Sequence, residues 1–135
     1  MAAVLAIDVG DKKIGLAVGD TETRMAFARP PLLVETWDEA WAPLHELLQH
    51  DRITSIVVGW PMNTDGTAGP QTERVQQFVD HLQQIVSIPV QKRDERMSSQ
   101  AVQREQQQAG QKLTRGQEDS LAAQLLLESF LNEHQ

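Results

Sequence analysis

The sequence contains no cysteine among its 135 residues. This absence excludes disulfide bonds, thiolate nucleophiles and zinc sites built from thiolates. Long apolar runs are also missing, because no segment approaches the ~20 consecutive apolar residues that a membrane span needs. The chain enters a strand-like segment at once, without a positively charged leader. We therefore expect no signal peptide, no membrane association and a location in the cytoplasm.

Basic charge is scarce as well, with 12 lysines and arginines against 19 acidic residues and a formal net charge of −7. Binding to nucleic acid usually relies on a basic face, so the overall charge argues against it. The basic residues nevertheless recur beside particular acidic ones, as in the segment Lys92–Arg96 and around Lys112, Arg115 and Asp119. A locally basic surface is therefore still compatible with the composition.

The order of apolar segments predicts an α/β fold in one domain that covers residues 1–135. Three strand-like segments come first, and strands then alternate with helices, which predicts a mixed five-stranded sheet with helices on both faces. Pro30 and Pro31 predict a bulge or an edge in the third strand. The predicted strands are Val4–Val9, Ile14–Gly19, a segment within Met25–Val34, Ile53–Trp60 and Ile88–Arg93. The predicted helices begin near Ala40, at Pro70, at Ser98 or Ser99, and near Gln117.

Asp8 interrupts the first of these strands. Alternation places Val4, Ala6 and Asp8 on one face of the strand, and that face is otherwise apolar. A carboxylate buried in a sheet is costly unless a cation or hydrogen-bond donors meet it. Asp8 therefore either holds a metal ion or phosphate-bound cation, or caps the turn that follows the strand.

Other acidic and turn-forming residues also follow strand ends. In sheets of this kind, ligands bind beyond the carboxyl ends of parallel strands, where Asp8, the loop Pro61–Pro70 and the pair Asp94–Glu95 are expected. Carboxylates gathered there repel each other unless a cation neutralises them. Mg²⁺ and Mn²⁺ prefer such oxygen ligands, and two ions ~4 Å apart can catalyse cleavage of a phosphodiester. Neighbouring Lys and Arg side chains would contact the phosphates.

Other chemistries fit the sequence less well. The histidines show no metal-ligand spacing, and the serines lack a nucleophile motif, so helix capping is the expected role of Ser98, Ser99 and Ser120. Trp37 and Trp41 are expected to pack between helices, whereas Trp60, beside the long loop, is a candidate for stacking on a base. The polar segment Gln106–Gln117 is either an ordinary loop or a substrate-contacting one.

Four segments resemble the successive motifs of the YqgF/RuvX family and occur in the same order. They are AIDVGDKKIGLAVGD, VVGWPMNTDGTAGPQTERVQQF, DERMSS and EDSLAAQLLLESFL. The resemblance covers nearly the whole chain and implies an RNase H-like fold of the retroviral-integrase-like superfamily. It also implies a nuclease, hence a hydrolase, that matures the 5′ end of pre-16S ribosomal RNA. Resolution of Holliday junctions is the alternative activity that the family suggests.

The resemblance assigns roles to residues by motif. It implies that Asp8, Glu95 and Asp119 are the catalytic acids and the ligands of Mg²⁺ or Mn²⁺. Asp94 is a less certain fourth member, because in an extended segment it faces the opposite way from Glu95. Contacts to the nucleic acid are implied for Lys13, Asn63, Arg96 and Arg115. The segment Thr114–Glu118 is less basic than the family pattern, which puts the grip on the backbone there in doubt.

Several alternatives stay open at this point. The substrate is precursor rRNA or branched DNA, and the protein is a monomer or a homodimer. A symmetric junction needs two active sites in a dimer, whereas trimming one RNA end needs only one. A non-catalytic nucleic-acid-binding assembly factor is a second class of function. A phosphotransferase is a third, since DVGDKKIGLA is also similar to the first phosphate loop of actin-like ATPases, but such enzymes need two domains of this kind.

Overall fold

A computed structural model describes residues 2–10, 12–61, 69–94 and 120–133 of the protein. Its centre is a sheet of five strands in the order β3-β2-β1-β4-β5. The strands are β1 (Ala3–Val9), β2 (Lys13–Asp20), β3 (Ala26–Leu33), β4 (Ile53–Trp60) and β5 (Val90–Asp94). The first three strands are antiparallel neighbours, while β4 runs parallel to β1 and β5 parallel to β4. The prediction of a mixed five-stranded sheet is confirmed.

Three α-helices and one short 3₁₀ helix cover the sheet in the described part of the chain. The 3₁₀ helix spans Trp37–Ala40, and the α-helices are α1 (Trp41–His50), α2 (Pro70–Ile85) and α3 (Leu121–Glu133). Pro43 lies in the first turn of α1, where the backbone amides have no partner within the helix, so the proline is tolerated. Pro70 is the first residue of α2, as the sequence predicted. The helix predicted from Ser98 or Ser99 lies outside the described residues.

Two apolar cores flank the sheet. We call them the first core, which α1 and α2 cover, and the second core, which α3 covers. Leu5, Ile7 and Val9 of β1 face the first core, and Val4 and Ala6 face the second. Because both faces of β1 are buried, its sequence is almost continuously apolar, as expected for a central strand. The prediction of helices on both faces is confirmed.

The edge strand β3 carries the irregularity predicted from its prolines. Its register against β2 shifts between Ile14 and Leu16, opposite the segment that contains Pro30 and Pro31. A proline cannot donate a ladder hydrogen bond, so such residues are confined to edges and bulges. β3 has both, since it is an edge strand with a register shift. The last strand begins at Val90 instead of the predicted Ile88, because Pro89 contributes only its carbonyl, which accepts a hydrogen bond from the Ile56 amide at 2.9 Å.

Candidate active site at the carboxyl edge of the sheet

The candidate site lies at the carboxyl edge, the end of the sheet where β1, β4 and β5 terminate and β2 begins. The turn between β1 and β2 is tight there, because a Cβ atom on Gly10 would lie 2.5 Å from the Lys13 carbonyl oxygen. A glycine is therefore required at this position. The Trp37 indole donates a hydrogen bond to the Gly10 carbonyl at 3.0 Å, which anchors the turn to the 3₁₀ helix. The strand end that carries Asp8 is thus held in place.

Asp8 is half-buried on the second-core face of β1, in line with Val4 and Ala6. Its partner across the antiparallel pair is Gly15 of β2. On the other side Ile7 pairs with Val58, so the next position of β4 alongside Asp8 is Gly59. Directly paired residues present their side chains on the same face of a sheet. Because both neighbours are glycines, no side chain crowds the Asp8 carboxylate from either adjacent strand.

The same row of the sheet continues to β5, where Gly59 pairs with Arg93. The Arg93 guanidinium donates hydrogen bonds to Glu133 and Ser129 of α3, each at 2.7 Å. The hydrogen bond to Glu133 raises the pKa of Arg93, against the opposing effect of burial. Arg93 therefore faces the second core, and alternation turns Asp94, the last residue of β5, to the other face. The described residues do not bring Asp94 to the side of the sheet on which Asp8 lies.

Lys13, one of the predicted phosphate contacts, is exposed at the start of β2 on the same edge. Its neighbour Lys12 donates a hydrogen bond to the backbone carbonyl of Glu35 at 2.9 Å and lies 3.5 Å from the Glu35 carboxylate. Both lysines line an open cavity of about 640 Å³, together with Leu33, Val34, Glu35 and Glu39. Hydrogen bonds from the backbone amides of Thr36 and Glu35 lower the pKa of Glu39. The Glu39 carboxylate therefore caps the 3₁₀ helix.

The remaining predicted site residues lie outside the described residues. They are Asn63, Glu95, Arg96, Arg115 and Asp119. Within the described ranges no group of three His, Asp or Glu side chains could hold a metal ion. The residues that adjoin two of the predicted acids are described, however. Asp94 precedes Glu95 at the carboxyl edge, and Ser120 follows Asp119 where α3 begins.

Ser120 has a role that sequence reasoning missed. Helix capping was the expected role, but its hydroxyl oxygen accepts a hydrogen bond from the backbone amide of Leu16, at 3.1 Å, and the residue is 0% exposed. The contact joins positions 104 residues apart, so no local pattern could have predicted it.

The three histidines of the described part lie on α1 and α2, as expected for helix residues. His81 stacks on Trp41 with ring centroids 4.3 Å apart.

Two of the three tryptophans, Trp37 and Trp41, pack as the sequence predicted. Trp37 and Trp41 both pack against Phe78 of α2, with ring centroids 5.4 and 4.8 Å apart. Trp60 lies on the first-core face, and the Lys92 ammonium sits 4.3 Å from the centre of its ring. Lys92 also donates a hydrogen bond to Gln76 at 3.0 Å. That ring face is thus covered by a lysine in this structure, and base stacking on Trp60 stays a prediction.

Comparison with known proteins identifies the family. The sequence profile of the family RuvX, described as "Holliday junction resolvase", matches residues 2–133. The chain belongs to the RuvX family. A relative in Chloroflexus aurantiacus, provisionally named pre-16S rRNA nuclease, is 34% identical over 131 residues, which cover 96% of this chain and 86% of the relative. A relative of the same name in Maridesulfovibrio salexigens is 34% identical over 130 residues, covering 95% and 96% of the two chains.

Solved structures support the fold of this RuvX-family protein. Thermus thermophilus RuvC in complex with a Holliday junction substrate superposes with a TM-score of 0.61 at 17% identity, covering 98% of this chain and 96% of RuvC. The fowlpox virus resolvase with its junction DNA gives a TM-score of 0.57 at 12% identity, with 97% of each chain covered. At these identities the likeness concerns the RNase H-like fold alone, and that part of the sequence prediction is confirmed. Among the described residues, none of the helices has the length and apolar character of a membrane span.

Proposed function

We propose that this RuvX-family protein is a divalent-metal-dependent nuclease that processes the 5′ end of pre-16S rRNA. The observation that carries the proposal is the setting of Asp8, a half-buried carboxylate at the carboxyl edge with glycines beside it on both neighbouring strands. The space beside it suits a cation and a phosphate group. The names of the relatives support the same activity, whereas the description of the RuvX profile supports nuclease activity on nucleic acid in general.

The donor chemistry at the edge fits Mg²⁺ or Mn²⁺. The chain has no cysteine, and the described histidines lie on helices that cover the first core, whereas Asp8 faces the second. A carboxylate is the ligand that hard divalent cations prefer. We propose Glu95 and Asp119 as the further ligands. The proposal for Glu95 is supported by Arg93, two positions earlier in the sequence, whose side chain faces the second core, the side of the sheet on which Asp8 lies.

The proposed mechanism assigns each residue one task. Asp8, Glu95 and Asp119 hold the cations, which when bound neutralise charge on the phosphodiester and activate water for hydrolysis. Lys13, exposed at the turn beside Asp8, binds a phosphate of the nucleic-acid backbone. Asn63, Arg96 and Arg115 are proposed as further contacts to the substrate. We propose that residues 1–135 form a single nuclease domain, which acts in the cytoplasm.

A cleavage assay tests this function. The purified protein is incubated with a pre-16S rRNA fragment that carries its 5′ extension and, in parallel, with a four-way DNA junction. We expect cleavage of the RNA in Mg²⁺ or Mn²⁺, loss of cleavage with EDTA, and at least a ~100-fold loss for Asp8→Asn. The control is Asp80→Asn, which makes the same chemical change on the exposed side of α2 and should cleave normally.

The assay also separates the rival functions. Selective cleavage of the junction, with an intact protein that sediments as a dimer, would establish a resolvase instead of an rRNA nuclease. A non-catalytic assembly factor predicts no hydrolysis in either metal and normal rRNA maturation in cells that carry Asp8→Asn. Accumulation of unprocessed pre-16S rRNA in those cells, with normal protein levels, is the result that the proposed function requires.

A further inference from the structure

Ser120 is one of two buried polar or charged residues in the described part of the chain, and it makes an unusual contact for a residue at a helix start. A serine that caps a helix accepts a hydrogen bond from an amide in the first turn of its own helix. The Ser120 hydroxyl instead accepts from the Leu16 amide in the middle of β2. Its backbone carbonyl accepts from Gln124 at 3.0 Å and starts α3 in the ordinary way. The side chain therefore joins the helix to the sheet.

The partner amide lies at an irregular point of the sheet. The register between β2 and β3 shifts between Ile14 and Leu16, opposite the prolines of β3. Bulges re-aim backbone groups and are frequent beside active sites. The register shift therefore lies next to Leu16, whose amide donates a hydrogen bond to Ser120, a residue outside the sheet. The prolines, the register shift and the buried serine form one connected arrangement.

This arrangement lies beside the candidate site. Leu16 follows Gly15, which pairs with Asp8 across β1 and β2. Ser120 follows Asp119 in the sequence. The hydrogen bond therefore connects Leu16, which is next to the strand partner of Asp8, with Ser120, which is next to the predicted ligand Asp119 in the sequence. Short chains of rigid contacts of this kind hold the ligands of a metal site in register.

We propose that Ser120 is a positioning residue of the metal site. By accepting the Leu16 hydrogen bond, it fixes the start of α3 against β2 next to Gly15, the strand partner of Asp8, and so keeps the surroundings of the Asp8 carboxylate in place. This inference rests on the proposed function, since it takes Asp8 as a ligand of the metal. Ser120 itself touches neither cation nor substrate and is not a catalytic residue.

The test measures Mn²⁺ binding directly, by electron paramagnetic resonance of the free ion, alongside cleavage kinetics. Ser120→Ala removes the acceptor while nearly preserving the shape of the side chain. We expect its Mn²⁺ affinity to fall at least ~10-fold and its kcat to fall with little change in KM, because loss of a residue that orients a metal ligand typically costs ~10–100-fold in affinity or activity. Ser120→Cys, a near-isosteric but weaker acceptor, should show an intermediate loss and serves if Ser120→Ala does not fold.

The matched control is Ala123→Gly, three residues further along α3 and also fully buried. It destabilises the same helix without removing the hydrogen bond, so its melting temperature should fall while its Mn²⁺ affinity stays at the wild-type value. Equal affinities for wild type, Ser120→Ala and Ser120→Cys would overturn the proposal, and so would a wild-type protein that binds no Mn²⁺. A wild-type protein that binds Mn²⁺ but cleaves nothing would refute the proposed function, while the affinity series would still decide the role of Ser120.

Discussion

Asp8 and Arg93 stand in the same row of the sheet, two strands apart, with only Gly59 between them. Adjacent strands are ~4.8 Å apart, so the two backbones are separated by ~10 Å. The Arg93 side chain is held away by Ser129 and Glu133 of α3. On the second-core face, the position between the Asp8 carboxylate and β5 is therefore Gly59, which has no side chain. A gap of this width has room for the cation and the phosphate that the proposed function requires.

Filling the gap should weaken both metal binding and cleavage. Gly59→Val places a branched side chain beside the Asp8 carboxylate, in the space that the ligand requires. We expect the Mn²⁺ affinity and the cleavage rate each to fall at least ~10-fold, because a displacement of ~1 Å in an active site can cost ~100-fold. Electron paramagnetic resonance of Mn²⁺ and the rRNA cleavage assay measure the two effects.

The control for this change is Ser55→Val. It introduces the same side chain on the same face of β4, but next to Val4 and away from the carboxyl edge. Metal binding and cleavage should stay at their wild-type values in this variant. If Gly59→Val binds Mn²⁺ as well as Ser55→Val does, the open space beside Asp8 is not the ligand site.

The ion pair between Arg93 and Glu133 should respond asymmetrically to mutation. The Arg93 side chain is 14% exposed and that of Glu133 is 55% exposed. Glu133→Ala leaves a mostly buried cation without its anion, which should lower the free energy of unfolding by ~2 kcal/mol. Removing an acid from a helix C-terminus returns only a few tenths of a kcal/mol. Arg93→Met leaves a carboxylate that water can solvate and should cost less than ~1 kcal/mol. Urea denaturation measures both values, and equal costs would contradict the argument.

Gly19 predicts a purely structural effect at the other end of β2. A Cβ atom there would lie 2.8 Å from the Met25 carbonyl oxygen and 2.9 Å from methyl groups of Leu127 and Leu131. The carbonyl belongs to the backbone and cannot move aside cheaply. Gly19→Ala should therefore lower the free energy of unfolding by ~1–3 kcal/mol. Because the position is remote from the carboxyl edge, Mn²⁺ affinity measured on the folded protein should be unchanged. A melting temperature equal to that of wild type would refute this account of the α3–β2 packing.

Local sequence pattern was enough to predict most of the sheet. The run Ile53–Trp60 is mostly apolar on both faces, so its assignment as a buried strand needed no knowledge of its neighbours. Pro70 marked the start of α2 because its fixed backbone angle and missing amide suit the first turn of a helix. The start of β5 was placed two residues early, since the apolar Ile88 resembles a strand residue while Pro89 cannot join the ladder as a donor.

The site depended on contacts that no local pattern encodes. Asp8 could be singled out because a carboxylate in an apolar strand conflicts with its surroundings. The glycines beside it could not, since Gly15 and Gly59 become neighbours of Asp8 only through the register of two different strand pairs. The bond between Ser120 and Leu16 depends on how α3 docks on the sheet. The convergence of Glu95 and Asp119 on Asp8 stays a prediction.

Asp51 should make stability depend on pH in the acid range. Burial by itself raises the pKa of Asp51, but hydrogen bonds with His50 and Arg29, together with the charge of Arg29, outweigh it and hold the pKa below its ordinary value of 3.8. A carboxyl group that is more acidic in the folded state stabilises the protein fully above its ordinary pKa, and this contribution is lost as the pH falls through the folded-state pKa. Asp51→Asn should therefore lower the free energy of unfolding by ~1 kcal/mol at pH 7, a modest value because both partners of Asp51 are partly exposed. The difference in this free energy between the variant and wild type should shrink below pH 3.8. Urea denaturation at pH 7 and pH 3 checks this, with Asp80→Asn as an exposed control. A cost for Asp51→Asn that is the same at both pH values would show that packing, and not charge, accounts for the role of this residue.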